Sequence, residues 1–251
     1  MQIDFESLAL ELQFVHTSRL ALRPVAIADA WPLWDATKNS AFNAGLLWAQ
    51  PEHESQVFER VDAIMRAAQR GRLAAVSAVC RQTGQWVGMF RFLPHASSTR
   101  AVELGIWIHP SHWHGRLALE LAQACGNAVF SFFPGVEMLI GAAAPTNRGS
   151  CSLIRLCGLL PVRNVWRKHE TLADVELIEH ELTREKWLEG TVRPKGFNQV
   201  VLPSRIGAAA PAVVQRQTRV TPLLPPQPAP LVEHLLPVNE TAAAVPLRQA
   251  A

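Results

Sequence analysis

Hydrophobic and polar positions change period several times along this chain, and each change marks an element. At 18–25, Leu20 and Leu22 lie between Arg19 and Arg23 with the two-residue period of a half-buried strand. Residues 29–37 then read as a helix with Trp31 and Trp34 on one face. In 52–69 the apolar positions Val57, Val61, Ile64, Met65 and Ala68 make an amphipathic helix that Gly71 stops. Strands are predicted at 73–81, 85–93 and 101–109, the first two joined by the turn Gln82-Thr83-Gly84. A helix at 117–132 ends before Pro134-Gly135, and 136–143 follows as a buried strand. A helix at 148–156 ends at Gly158, and 159–167 and 174–182 read as the last two strands. The order β-α-α-β-β-β-α-β-α-β-β suits one mixed α/β sheet of about seven strands with helices on both faces.

Composition divides the chain. From Thr191 onward it holds 10 of the 18 prolines and no aromatic residue after Phe197. Proline removes a main-chain donor and fixes φ, so neither a regular helix nor a central strand fits there. The expected organisation is an N-terminal extension at 1–16, a folded domain at 17–190 and a disordered Pro/Ala-rich tail at 191–251. The formal net charge of +3 comes from that tail, because basic and acidic residues nearly cancel through Gly190. Such a balance does not imply nucleic-acid binding. Four cysteines show no paired spacing, as in a reduced intracellular protein. The acidic start lacks a signal-peptide pattern, and no apolar run is long enough for a membrane span. The expected location is cytoplasmic, without a membrane partner, and a homodimer is allowed.

Five blocks in order resemble one family. Thr17-Ser18-Arg19-Leu20-Ala21-Leu22-Arg23-Pro24 followed by Asp29-Ala30, the hairpin Gly84–Gly88, and Val102–Pro110 (VELGIWIHP) come first. Asn147-Arg148-Gly149-Ser150 with Gly158 eight residues beyond the serine, and Leu182–Trp187 (LTREKW), complete the set. Together, over about 17–187, they resemble the GNAT superfamily of N-acetyltransferases, in its Rim-type branch of ribosomal-protein N-terminal acetyltransferases. One block departs from the pattern. Where the family has a glycine-rich loop for the cofactor pyrophosphate, this chain reads Trp113-His114-Gly115-Arg116-Leu117-Ala118. Gly115 comes one place early and Arg116 stands where the second glycine is expected. Arg116 either reaches the phosphates with its own charge or narrows the slot that the backbone amides need.

The resemblance implies an acetyl-CoA-dependent acyltransferase that moves an acetyl group directly to a primary amine, on a protein N-terminus or a small molecule, without a metal. It implies that the fourth and fifth strands splay apart around the pantetheine arm. The main chain of Trp107, Ile108 and His109 would pair with that arm and supply an oxyanion donor. Trp113, His114, Gly115, Arg116, Leu117 and Ala118 would surround the phosphates, and Asn147 would bond the pantetheine region. Ser150 would protonate the departing thiolate, since the chain has no tyrosine and Ile154 stands where many relatives use one. Plain N-capping of the next helix is a compatible role for Asn147 and Ser150. Glu103 is the first candidate base, with His169 and Glu170 second. His109, His112 and His114 lack an accompanying Cys or Asp, which favours a loop over a zinc site. Trp48 is expected beside the acceptor pocket. The alternatives are a non-catalytic binding module of the same fold, or another α/β enzyme, for which no GxSxG, Walker or dinucleotide-binding motif is present.

Overall fold

Each of the seven expected strands forms in the computed structural model, which describes residues 3–189. The expected tail at 191–251 lies outside the described residues. The strands are β1 (Leu20–Pro24), β2 (Ala74–Cys80), β3 (Trp86–His95), β4 (Ser98–Ile108), β5 (Met138–Ala143), β6 (Leu160–Arg167) and β7 (Val175–Thr183). They make one sheet in the order β1-β2-β3-β4-β5-β7-β6. Neighbours pair antiparallel except β4 and β5, which run parallel. A parallel pair needs a long crossover, and helix α5 (Leu117–Phe132) supplies it.

The other expected helices are α2 (Ala30–Thr37), α4 (Glu54–Gln69) and α6 (Arg148–Leu156), joined by the single turn α3 (Ser40–Asn43) and the short α7 (Arg184–Leu188). The segment read as an N-terminal extension contains a further helix, α1 (Phe5–Leu12). Asp4 caps it by accepting from the amides of Glu6 and Ser7. Phe5, Leu8 and Leu12 are buried in the same core as α5, so this segment belongs to the folded body.

Strand alternation assigns the two faces. Phe90 and Phe92 of β3 and Val102 of β4 point to the layer that holds α1 and α5, where Leu8, Leu121 and Phe130 meet them. Met89 and Trp107 point the other way, to α2 and α4, among Leu33, Val57 and Val61. Arg91 shares that second face, lying between Met89 and Leu93 in parity.

Helix α5 is anchored at both ends by residues far away in sequence. At its start, Glu120 is buried and accepts from the Thr17 hydroxyl and from Arg19 Nε at 2.6 Å. Arg19 also donates to the Gly115 carbonyl at 2.8 Å. At its end, Arg184 donates to the carbonyls of Phe130, Phe133 and Val136 at 2.6 to 2.7 Å. Phe130 lies in the last turn of the helix, whose carbonyls lack intrahelical partners, and Phe133 and Val136 flank the turn that follows it. The Arg-Pro…Asp-Ala part of the opening block has a similar structural meaning. Asp29, buried at the entry to α2, pairs with Arg23 and accepts from Ala26 N–H and the Ser77 hydroxyl at 2.9 and 2.6 Å.

Candidate active site

Pairing between β4 and β5 covers only Ala101–Leu104 against Met138–Gly141, after which the strands diverge. A cavity of about 1510 Å³ opens at the divergence, with residues 105–107 on one side and 141–144 on the other. His109 N–H donates to the Val87 carbonyl at 2.9 Å, so it is engaged and is no oxyanion donor. In an antiparallel pair, successive residues turn their main-chain groups alternately toward and away from the partner strand. Counting back from His109, Ile108 and Ile106 turn theirs toward the gap, while Trp107 turns its own toward β3. The Ile108 carbonyl is taken by the Trp113 indole N–H at 2.9 Å. Ile106 was not among the expected residues, because strand parity follows from register and not from a motif.

The expected phosphate loop is a 3₁₀ turn, Pro110–Gly115, followed by Arg116 and the start of α5. His109 leads into it, its Nδ1 accepting from Ser111 and its Nε2 donating to Asp35 at 3.2 Å. Arg116 has φ of 57°, the left-handed conformation natural to glycine, and its exposed side chain has no hydrogen bond or ion pair among the described residues. No side chain caps α5, so the amides of its first turn, beginning with Leu117 and Ala118, lack partners. Trp113, His114 and Gly115 are exposed beside them. None of 113–118 borders the cavity, whereas Trp107 and Asn147 do. Arg19 and Glu120 border it too and touch the loop, so they connect the two groups.

Across the gap, Asn147 caps α6, its Oδ1 accepting from Ser150 N–H at 3.0 Å. Gly45 packs on its amide group, and a Cβ at Gly45 would lie 2.6 Å from Asn147 Nδ2. Ser150 lines the cavity with its hydroxyl unpartnered among the described residues, and Ile154 lines it one turn on.

The three base candidates stand differently from expectation. Glu103 is in the cavity wall but forms a two-bonded pair with Arg167 at 2.7 and 2.9 Å, so both of its oxygens are already engaged. Glu170 accepts from Arg60 at 2.6 Å and from Ala49 N–H at 3.0 Å, while its own N–H donates to the Leu47 carbonyl. It clasps the loop after α3 to the connection between β6 and β7. His169 accepts at Nδ1 from the amides of Thr171 and Leu172 at 3.2 and 3.1 Å. Its proton is therefore on Nε2, which makes it a donor toward the cavity it lines and not a base.

The wall opposite α6 is aromatic and cationic. Trp48 stacks on Trp107 with centroids 5.5 Å apart and planes 10° from parallel. Arg60 lies over Trp48 at 4.0 Å and Arg91 over Trp107 at 4.3 Å. Burial, aided by Arg60 and opposed by Glu103, pushes the Arg91 guanidinium down to about 10. Among the described residues no group of three His, Cys, Asp or Glu side chains is arranged to hold a metal ion.

A family model described as an acetyltransferase (GNAT) domain matches residues 19–160. No curated protein matches the chain by sequence. Among solved structures, a GNAT-family acetyltransferase of Bacillus anthracis superposes with a TM-score of 0.59 at 16% identity, covering 68% of this chain and 98% of its own. A spermidine N-acetyltransferase of Vibrio cholerae, in complex with CoA and spermine, gives 0.57 at 15% identity, covering 68% and 99%. An acetyltransferase of Salmonella typhimurium that modifies the N-terminal serine of a 50S ribosomal subunit protein gives 0.58 at 15%, covering 66% and 96%. Identities this low speak for the fold.

Proposed function

Because the chain belongs to the GNAT acetyltransferase family and is an acyltransferase, we propose that it transfers an acetyl group from acetyl-CoA to a primary amine by direct attack within a ternary complex. The observation that carries this reading is the divergence of β4 from β5 beyond Leu104 and Gly141, which opens a cavity large enough for two substrates. The uncapped first turn of α5 suits the pyrophosphate, since its amides converge on one point at the positive end of the helix dipole. When bound, acetyl-CoA supplies an acetyl group already activated as a thioester. The work of the protein is orientation, polarisation and proton management.

Ile106 and Ile108 present main-chain groups to the gap, and an amide there is the candidate oxyanion donor. Ser150 holds a free hydroxyl across the same gap, fixed by the turn that Asn147 caps. Its proposed role is to give a proton to the leaving sulfur. Glu103, Glu120 and Glu170 are each paired with an arginine, which leaves no unpaired carboxylate in the cavity among the described residues, and an amine with pKa near 8 releases its proton to solvent at about neutral pH. The test is release of free thiol from acetyl-CoA by the purified chain across a panel of amines. Ser150→Ala should reduce kcat by about ten-fold or more while CoA affinity, by calorimetry, stays within about two-fold. Unchanged turnover would leave Ser150 as part of a helix cap. Absence of both CoA binding and thiol release would favour a binding module of the same fold.

A further inference from the structure

Three carboxylates border the cavity, and each already has a cation. Glu103 pairs with Arg167, Glu120 with Arg19, and Glu170 with Arg60. No acidic group is left there to receive a second positive charge on an acceptor. The surplus runs the other way. Lys168 is exposed at the rim, and Arg91, set into the wall, has no hydrogen bond or ion pair among the described residues. Among the described residues its Nε is buried without an acceptor, as are Arg60 Nε and Trp48 Nε1 on the same wall, and His169 adds a donor at Nε2, whereas the unpartnered acceptors of the cavity, Asn43 Oδ1 and Gln123 Oε1, are uncharged amide oxygens. A buried donor without a partner is costly, and several on one wall of one cavity call for a single acceptor.

The position of Arg91 says how far that acceptor group lies from the reacting nitrogen. Arg91 faces Gly105 in the β3–β4 register, and Gly105 is the first residue beyond the last β4–β5 pair. The guanidinium lies along Gly105, where an added Cβ would come within 3.5 Å of Nη2, and against the Trp107 ring. It therefore stands at the mouth of the gap. The Glu170 clasp and the contact of Gly45 with Asn147 border the pocket around it and hold the loop after α3 against it, which suits a compact acceptor.

We propose that the acceptor is a small amine of the amino-acid class, with a carboxylate within a few bonds of its nitrogen that Arg91 receives as a specificity-determining cation. The proposal rests on the acetyl-transfer reading above. A peptide N-terminus presents an amide where the amino acid has its carboxylate, and a polyamine presents a further cation; neither answers Arg91. The same placement helps the chemistry. Arg91, with Arg60, Arg167 and Lys168 also facing the cavity, raises the local positive potential and disfavours the ammonium form of the bound amine. The Glu103, Glu120 and Glu170 carboxylates oppose this only in part, each being paired with an arginine, and His169 turns a donor to the pocket.

The test uses the full chain, with thiol release measured on matched amines: amino acids, their carboxamides, short peptides and spermidine. The expected result is a preference for the acid over its amide of about 100-fold in kcat/KM, because the amide leaves the guanidinium unpaired. In Arg91→Gln the acid should fall to within about three-fold of the amide, and the pH profile of the remaining activity should move to higher pH. CoA affinity of the variant, by calorimetry, checks its fold, and Arg91→Lys should restore part of the preference. Equal use of acid and amide by the parent, or a preference that survives in a folded Arg91→Gln protein, overturns the proposal. Calorimetry of each amine on the CoA-saturated protein separates the two readings. Carboxylate-selective binding without turnover supports the anion site and sinks acetyl transfer, whereas turnover of amides and polyamines does the reverse.

Discussion

Arg116 is the residue at which this chain parts from its family, and the backbone gives the reason glycine is usual there. An L-residue with a side chain pays about 1 kcal/mol for the left-handed conformation that Arg116 holds. Arg116→Gly should relieve that strain and raise the melting temperature by about 2–4 °C per kcal/mol recovered. Arg116→Ala keeps the strain but removes the charge, so a loss of CoA affinity in both variants identifies the charge as useful. An unchanged or lower melting temperature for the glycine variant would show that the conformation costs nothing in this context. The sequence exposed this residue because a motif broke at it, and it exposed Asn147 and Ser150 because a motif held. It did not expose Arg91, although a signal was present. Arg91 is the one charge inside the apolar run from Trp86 to Leu93, and a charge at a core position requires an explanation. Nor could residue types alone say that Glu103 would be tied to Arg167, since the two are 64 positions apart and meet only through sheet order.

Helix α5 shows what the ordered blocks are for. The sequence placed it at 117–132, ahead of Pro134-Gly135, and both expected ends match the structure. What periodicity cannot supply is the set of anchors. Thr17 and Arg19 secure the start by way of Glu120, and Arg184 gathers three carbonyls at the far end. Arg184→Met, which keeps the aliphatic stem, should cost about 2–4 kcal/mol from several charge-assisted bonds. Chemical denaturation would detect this as a lower midpoint at unchanged slope. A midpoint equal to that of the parent would mean that water replaces the guanidinium without loss. Helix α1 was missed for a physical reason: in two turns the buried positions Phe5, Leu8 and Leu12 are interleaved with the exposed Leu10, so no clear period stands out.

The molecule as a whole is a sheet in two parts, and a buried charge cluster crosses between them. Glu179 of β7, almost fully enclosed, accepts from His95 at the end of β3 and pairs with Arg163 of β6. Burial works against its ionisation, but His95, Arg163 and Arg167 outweigh this and hold its carboxyl below the ordinary value of 4.5. A lowered folded-state value gives stability that is present above the ordinary carboxylate range and is lost as pH falls through the folded value. Glu179→Gln should therefore cost about 3 kcal/mol near pH 7, with the difference from the parent closing as pH falls through the lowered folded-state value. A gap that persists in acid would assign the loss to packing. The seven strands and their union in one mixed sheet were legible from periodicity and element order. The bridging of the two parts was not, because β3 and β7 are far apart in sequence.

The short join between β4 and β5 has a consequence for how the protein moves. Four paired positions hold together strands that no longer pair with each other beyond Leu104 and Gly141. The sheet thus has a seam, firm at one end and open at the other. The pantetheine arm is itself a chain of amides, and one lying along Ile106 and Ile108 would behave as a temporary eighth strand. Substrate binding would then close the seam as a zip closes, stiffening both halves at once. Amide hydrogen exchange should show this directly. Ile106 and Ile108 should exchange quickly in the free protein and slowly with CoA bound, and protection should spread to Ala142 and Ala143 across the gap. Protection confined to the first turn of α5 would mean that the ligand is held by its phosphates alone and that the seam stays open through the reaction.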